Sequence, residues 1–119
     1  MKARKKPAQC HLWHADTLGA EDLRGAFEAI EQYVDESHFA QCLLRCRQCA
    51  QLYFFRFQEE IDWDDGDDPQ YSTYVPVETS DEAKLMLKLG PLELLAVMPR
   101  LHKDFPKGAK VPKVYWIGK

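Results

Sequence analysis

Residues 43–57, LLRCRQCAQLYFFRF, constrain this chain most: they set a Cys-x-x-Cys pair, Cys46 and Cys49, between two apolar runs. In the second run Tyr53, Phe55 and Phe57 recur at period two, so a strand would carry all three rings on one face. Two residues between the cysteines let both thiolates turn inward at a hairpin tip and grip one side of a tetrahedral zinc ion. A knuckle of this kind supplies half of a four-ligand site. The other half stands near the start of the chain, in Cys10-His11-Leu12-Trp13-His14.

Cys10 and His14 make a C-x3-H pair, and with Cys46 and Cys49 they meet the ligand count and chemistry of a closed structural Zn2+ site. A closed site leaves no open coordination position, so it would hold the fold rather than catalyse. His11 competes with His14 for the fourth place. Knuckles usually carry glycine after the second cysteine, where this chain has Ala50. The metal-free alternative is two pairs of ordinary thiols. A thioredoxin-like redox pair needs its first cysteine at a helix N-terminus, and here aromatic strand residues follow the pair instead. Cys42 reads as a core residue.

One domain fits the 119 residues, 45% of them apolar and 29% charged. Four cysteines, with no apolar run after the basic start MKARKKP, point to a reducing, cytoplasmic setting. No run approaches the roughly 20 apolar residues of a membrane span. Charge is unevenly spread. Residues 1–9 hold four basic residues and no acid, and read as a disordered basic tail ahead of a single domain over 10–119. Residues 10–99 hold six basic residues against eighteen acids, and residues 100–119 hold six against Asp104 alone. An acidic middle favours a basic partner and disfavours nucleic acid.

Leu23, Ala26, Phe27, Ile30 and Val34 follow helical spacing and predict an amphipathic helix over 20–34. Residues 39–46 fit either element; a strand is chosen because a knuckle sits at a hairpin tip, with 51–59 returning. Tyr71, Thr73, Val75 and Val77 share one face of a further strand, and Pro76 places it at an edge or a bulge. Thr79-Ser-Asp-Glu82 is a capping box opening a helix that stops at Gly90, and Pro91 opens a second short helix over 92–98. Prolines 99, 106 and 112 predict irregular chain over 99–112, before a last strand in KVYWIG.

The acidic stretch EEIDWDDGDD suggests calcium, but the spacing fails. With Gly66 at the sixth position of an EF-hand loop, Ile61 and Trp63 fall on ligand positions and Ser72 replaces the closing Glu. The remaining readings are a solvated turn and a docking surface. In the second, Glu59, Glu60, Asp62, Asp64, Asp65, Asp67 and Asp68 surround Trp63, with Tyr71 just after. Seven carboxylates within ten residues repel one another unless a cation compensates them, and a large aromatic among them suits an interface anchor. No phosphate loop, nucleophile elbow or HExxH stands in the chain, and His38 and His102 are isolated.

The knuckle with its strand, RCRQCAQLYFFRF, then EEIDWDDGDDPQYSTYVPVE and the ending KVYWIGK, resemble a group of small proteobacterial proteins of unassigned chemistry over residues 10–119. In size and charge the chain also resembles immunity proteins of bacterial toxin systems, contact-dependent growth inhibition among them. That likeness implies a cognate protein toxin as partner.

The sequence therefore predicts an α+β domain: an antiparallel sheet of three or four strands built on a zinc-knuckle hairpin, with helices on one face. It predicts a non-enzymatic protein-binding module that neutralises a basic, nucleic-acid-cleaving toxin through its acidic surface. The alternative is a zinc-ribbon-like nucleic-acid or transcription accessory protein using the basic ends; a small redox or metal-handling enzyme is the third reading.

Overall fold

The computed structural model describes residues 5–119. Six strands form one antiparallel sheet in sequence order: β1 (Phe27–Glu36), β2 (Phe39–Cys46), β3 (Leu52–Glu59), β4 (Gln70–Val77), β5 (Arg100–Phe105) and β6 (Lys113–Ile117). Four short helices accompany it: α1 (His11–His14), α2 (Ala20–Leu23), α3 (Ser80–Met86) and α4 (Pro91–Leu94). The architecture is α+β or mostly β, with six strands where three or four were expected.

Alternation along the strands builds a core on each side of the sheet. Leu43, Phe54, Val75 and Val77 point to one side and are covered by Ala83 and Met86 of α3 and Leu94 of α4. Tyr53, Tyr74, Cys46 and Leu101 point to the other, under Leu12 of α1 and Leu23 of α2. The helices therefore lie on both faces, not one. The expected ring set holds its side: Tyr53 and Phe55 pack in the second core, and Phe57 lines a cleft there with Tyr74.

Two expectations fail for identifiable reasons. The helix over 20–34 is one turn, α2, followed by Gly25 at φ +71° and then β1. The pairing of β1 with β2 shifts between Ala29 and Glu31 and again between Gln32 and Val34. Each shift admits an extra residue, so a period of two with two insertions imitates the helical spacing of Phe27, Ile30 and Val34. The irregular stretch 99–112 instead contains β5, with Pro99 and Pro106 bracketing the strand rather than breaking it.

Pro76 is tolerated in β4 because β5 pairs only with Gln70 to Tyr74. Beyond Leu101 no strand asks for its missing N–H, so Pro76 sits at a local edge. The capping box forms as expected: Thr79 Oγ1 accepts from the Glu82 N–H at 3.2 Å, and the Thr79 N–H donates to Glu82 Oε2 at 3.3 Å.

Part of the predicted basic tail, residues 1–4, lies outside the described residues. In the rest, Pro7 is buried, Lys5 meets Glu78 at 3.0 Å and the Gln9 side chain donates to Gln51 at 3.1 Å. The segment that follows is fastened to the far end of the chain. The Trp116 indole N–H donates to the Leu12 carbonyl at 2.9 Å, and Trp13 meets the Trp116 ring edge-on at 4.8 Å. No helix among the described residues is long and apolar enough to cross a membrane.

Candidate metal centre and acidic loop

The end of β2 and the turn into β3 carry Cys46 and Cys49. The Cys46 N–H donates to the Gln51 carbonyl and the Ala50 N–H to the Cys46 carbonyl, each at 2.9 Å. Closing that turn requires a left-handed residue, and Ala50 adopts it at φ +65°, the single non-glycine positive φ among the described residues. This is the position where a knuckle usually has glycine. The alanine does not prevent the conformation; it strains it.

Helix α1 begins directly beneath this turn. Cys10 is its N-cap and His11 its first residue, so both reach the same spot. The ligand atoms of Cys10, His11 and Cys46 all lie within 4.8 Å of one another, with Cys46 Sγ 3.9 Å from His11 Nδ1. In a tetrahedral site with Zn–S near 2.3 Å and Zn–N near 2.0 Å, ligand atoms stand about 3.5–3.8 Å apart. Cys49 lies nearby, outside that set of three but with its side chain against those of Cys10 and Cys46. Cys10 and Cys46 are buried, Cys49 is half-buried and His11 is exposed.

Of the four residues expected to ligate, Cys10, Cys46 and Cys49 come together and His14 does not. Its Nε2 stands 2.5 Å from the Ala8 carbonyl, and His11 occupies the place assigned to it. Cys10 is extended, at φ −88° and ψ 130°, so the i, i+4 proximity that would bring His14 to it within a helix does not hold.

The electrostatics separate the thiols. Burial pushes the Cys10 thiol up to about 12, with Cys49 and Cys46 adding to the rise against bonds from Tyr53 and Leu12. Burial also raises Cys46, but the backbone N–H groups of Cys49 and Gln48 and the side chains of Cys49 and Cys10 outweigh it, and the net shift is downward. Amides aimed at a sulfur favour its thiolate, the form a metal needs. The Tyr53 hydroxyl is buried without a hydrogen-bond partner of good geometry and faces Cys10. A thiolate there would give this orphaned donor an acceptor. Donor set, spacing and orphaned phenol therefore fit a metal ion held by Cys10, His11 and Cys46, with Cys49 close enough to supply a fourth thiolate.

The acidic loop is organised from within. Asp62 Oδ1 accepts from the N–H groups of Asp64 and Asp65 at 3.2 and 3.1 Å, and Asp68 Oδ1 accepts from the Asp62 N–H at 2.6 Å. Lys107 reaches in from the β5–β6 turn to Asp62 at 2.8 Å and Asp65 at 2.9 Å, and the Gly108 N–H donates to Asp67 at 2.8 Å. A cation of the same chain thus offsets part of the repulsion. Glu59 belongs to the sheet, where it accepts from Gln70 and His38, each at 2.7 Å, and Tyr71 lies in β4. Trp63 stands clear of all of this at 87% exposure, flanked by exposed Glu60 and Asp64.

Sequence reasoning missed a second polar group. Arg56, Arg100 and His102 are buried beneath α4, although His102 reads as isolated in the sequence. The signal was available in LYFFRF, where Arg56 shares the face of Leu52 and Phe54 rather than that of the aromatic triad. The chain matches no protein-family model, no curated protein and no solved structure.

Proposed function

We propose that this chain is a protein-binding module, held together by a structural Zn2+ at Cys10, His11, Cys46 and Cys49, which docks a basic protein through the loop of residues 60–68. Its concrete form is neutralisation of a nucleic-acid-cleaving toxin, whose phosphate-binding cleft must be basic. The observation that carries the reading is Trp63: a large apolar ring at 87% exposure, on a loop whose backbone is fixed by Asp62, Asp68 and Lys107. A core tryptophan at the end of a strand would be buried. A rigidly presented one offers contact area without an ordering cost on binding. The zinc site has no open position once four side chains bind, so its role is to clamp the segment around α1 to the β2–β3 turn.

The test is to express the products of the genes that flank this protein's own, and to assay any basic nuclease among them for inhibition and for association and dissociation rates. Trp63→Ala is expected to raise the dissociation rate about 30-fold, the equivalent of about 2 kcal/mol. Converting Asp64, Asp67 and Asp68 to Asn should slow association and flatten its salt dependence. A nuclease bound equally well by Trp63→Ala removes the loop as the docking surface. Salt-resistant, sequence-selective binding of DNA or RNA by the chain itself would replace the reading with the nucleic-acid alternative.

A further inference from the structure

A row of polar side chains crosses the sheet on the α4 side. Gln41, Arg56, Thr73, His102 and Tyr115 are successive partners in the pairing of β2 through β6. Strands about 4.8 Å apart put Arg56 and His102 roughly 10 Å from each other. Arg100 stands two residues from His102 along β5 and so points to the same side. Arg56, Thr73, Arg100, His102 and Tyr115 floor a cavity of about 400 Å³ walled by Pro91, Leu94, Leu95 and Ile117. That volume is within the range of small-molecule pockets, about 300–1,000 Å³.

The charges in this cavity do not balance. Arg56 is 4% exposed and Arg100 9%, and neither has a carboxylate partner among the described residues. Arg56 Nε donates to Gln41 Oε1 at 2.8 Å and Nη2 to the Met86 carbonyl at 3.2 Å. Arg100 Nε donates to His102 Nε2 at 2.8 Å and Nη1 to the Val97 carbonyl at 3.1 Å. Both guanidiniums are thereby held in place by neutral groups, that of Arg56 also lying over the Phe39 and Phe54 rings. Each keeps one terminal nitrogen, Nη1 of Arg56 and Nη2 of Arg100, without a hydrogen-bond partner among the described residues. Because an arginine N–H can only donate, His102 Nε2 must accept, so the imidazole is neutral with its proton on Nδ1, 3.8 Å from Asp104. Burial disfavours the charged forms of Arg56, Arg100 and His102. Asp104 is the single carboxylate lining the cavity, and it is engaged by the Tyr115 hydroxyl.

Two buried cations facing one carboxylate leave one negative charge wanting, in a pocket whose remaining lining is uncharged and apolar along Pro91, Leu94, Leu95 and Ile117. We infer that this cavity binds a small organic carboxylate, its carboxyl group received by Arg56 Nη1 and Arg100 Nη2 and its apolar body lying against Leu94, Leu95 and Ile117. Carboxylate is favoured over phosphate because a single negative charge closes the balance, whereas a dianion would overshoot it. The site lies across the sheet from the metal centre and does not depend on the docking loop.

The test is a titration of the full-length, zinc-loaded protein with benzoate, followed by amide and side-chain NMR shifts. Benzyl alcohol and inorganic phosphate serve as the neutral and phosphate arms. The expected result is saturable shifts at Thr73, His102 and Tyr115 with benzoate, at least tenfold weaker in both other arms, and at least tenfold weakened by Arg100→Met. Leu95→Trp fills the exposed rim without touching the floor, so it should abolish the shifts while leaving the spectrum folded; it carries the test if Arg100→Met does not fold. Absence of saturable shifts at these residues overturns the inference. Benzyl alcohol binding as tightly as benzoate, or phosphate doing so, overturns the carboxylate assignment, and shifts unchanged in Leu95→Trp remove the cavity as the site.

Discussion

Ala50→Gly should stabilise this protein, and the size of the gain follows from one torsion angle. At φ +65° the Ala50 Cβ crowds the following carbonyl, which costs an L-residue about 1–2 kcal/mol. Removing the methyl relieves that strain. The residue is exposed, so no packing is lost with it. Against the gain stands the greater freedom of glycine in the unfolded chain, about 0.4–1 kcal/mol. The balance is a net stabilisation between about 0 and 1.6 kcal/mol, centred on ~0.8 kcal/mol, which is roughly 2–5 °C in Tm for a domain of this size. Ala50→Val supplies the opposite arm, because a β-branched residue is least tolerated in the left-handed region; it should lose about 2 kcal/mol or more and weaken metal binding. Thermal melts in Zn2+ and in chelator give the readout. Equal gains in both conditions mean that the turn is formed before the metal arrives, and a gain confined to Zn2+ means that the metal forms it. If Ala50→Gly is no more stable than the parent in either condition, the left-handed turn is not present and the argument for a knuckle-like closure fails.

Three other outcomes are expected. Purified protein should carry about one Zn2+ per chain, lost in Cys49→Ser and weakened in His11→Ala but not in His14→Ala; zinc retained in His11→Ala and lost in His14→Ala would reverse the ligand assignment. Trp63→Ala should leave stability within about 0.5 kcal/mol, since the ring is exposed, and a larger loss in a denaturant melt would place it in the core. The acidic loop should loosen in acid. Contacts from Lys107 and the Asp65 N–H hold Asp62 below its ordinary value, and contacts from Gln70 and His38 do the same for Glu59. Their stabilisation is therefore complete above the ordinary carboxylate range, about pH 4, and fades as pH falls through the lowered folded values. Amide shifts of Asp65 and Gly108 should move toward unfolded positions there while Val75 stays native, and loop amides unmoved in strong acid would refute it.

Much of this fold was legible where a single local rule governed. The alternation of Tyr53, Phe55 and Phe57, the Thr79–Glu82 capping box and Pro91 at a helix start each appear in the structure as read, although the two helices end early, at Met86 rather than by Gly90 and at Leu94 rather than at 98. Legibility failed where two rules overlapped. Bulges in β1 disguised an edge strand as a helix, and prolines that flank β5 looked like prolines that break it. At the metal centre the thiols were legible from spacing alone. The histidine was not, because His11 and His14 differ only in their angle about a helix whose first residue the sequence does not mark. The arginine cavity was least legible of all, since Arg56, Thr73 and His102 lie far apart in sequence and meet only through strand register.

The strictly sequential strand order bears on how the chain is made. Each strand pairs with the one just before it, so the sheet can grow hairpin by hairpin as the polypeptide leaves the ribosome, with little entropy spent on long-range closure. The candidate metal ligands, Cys10, His11, Cys46 and Cys49, all precede β3 and can gather before β4 exists. What must wait is the joint between Leu12 and Trp116, because 104 residues separate the two partners. A nascent chain can thus gather its four candidate ligands early and join Leu12 to Trp116 only after β6 has emerged.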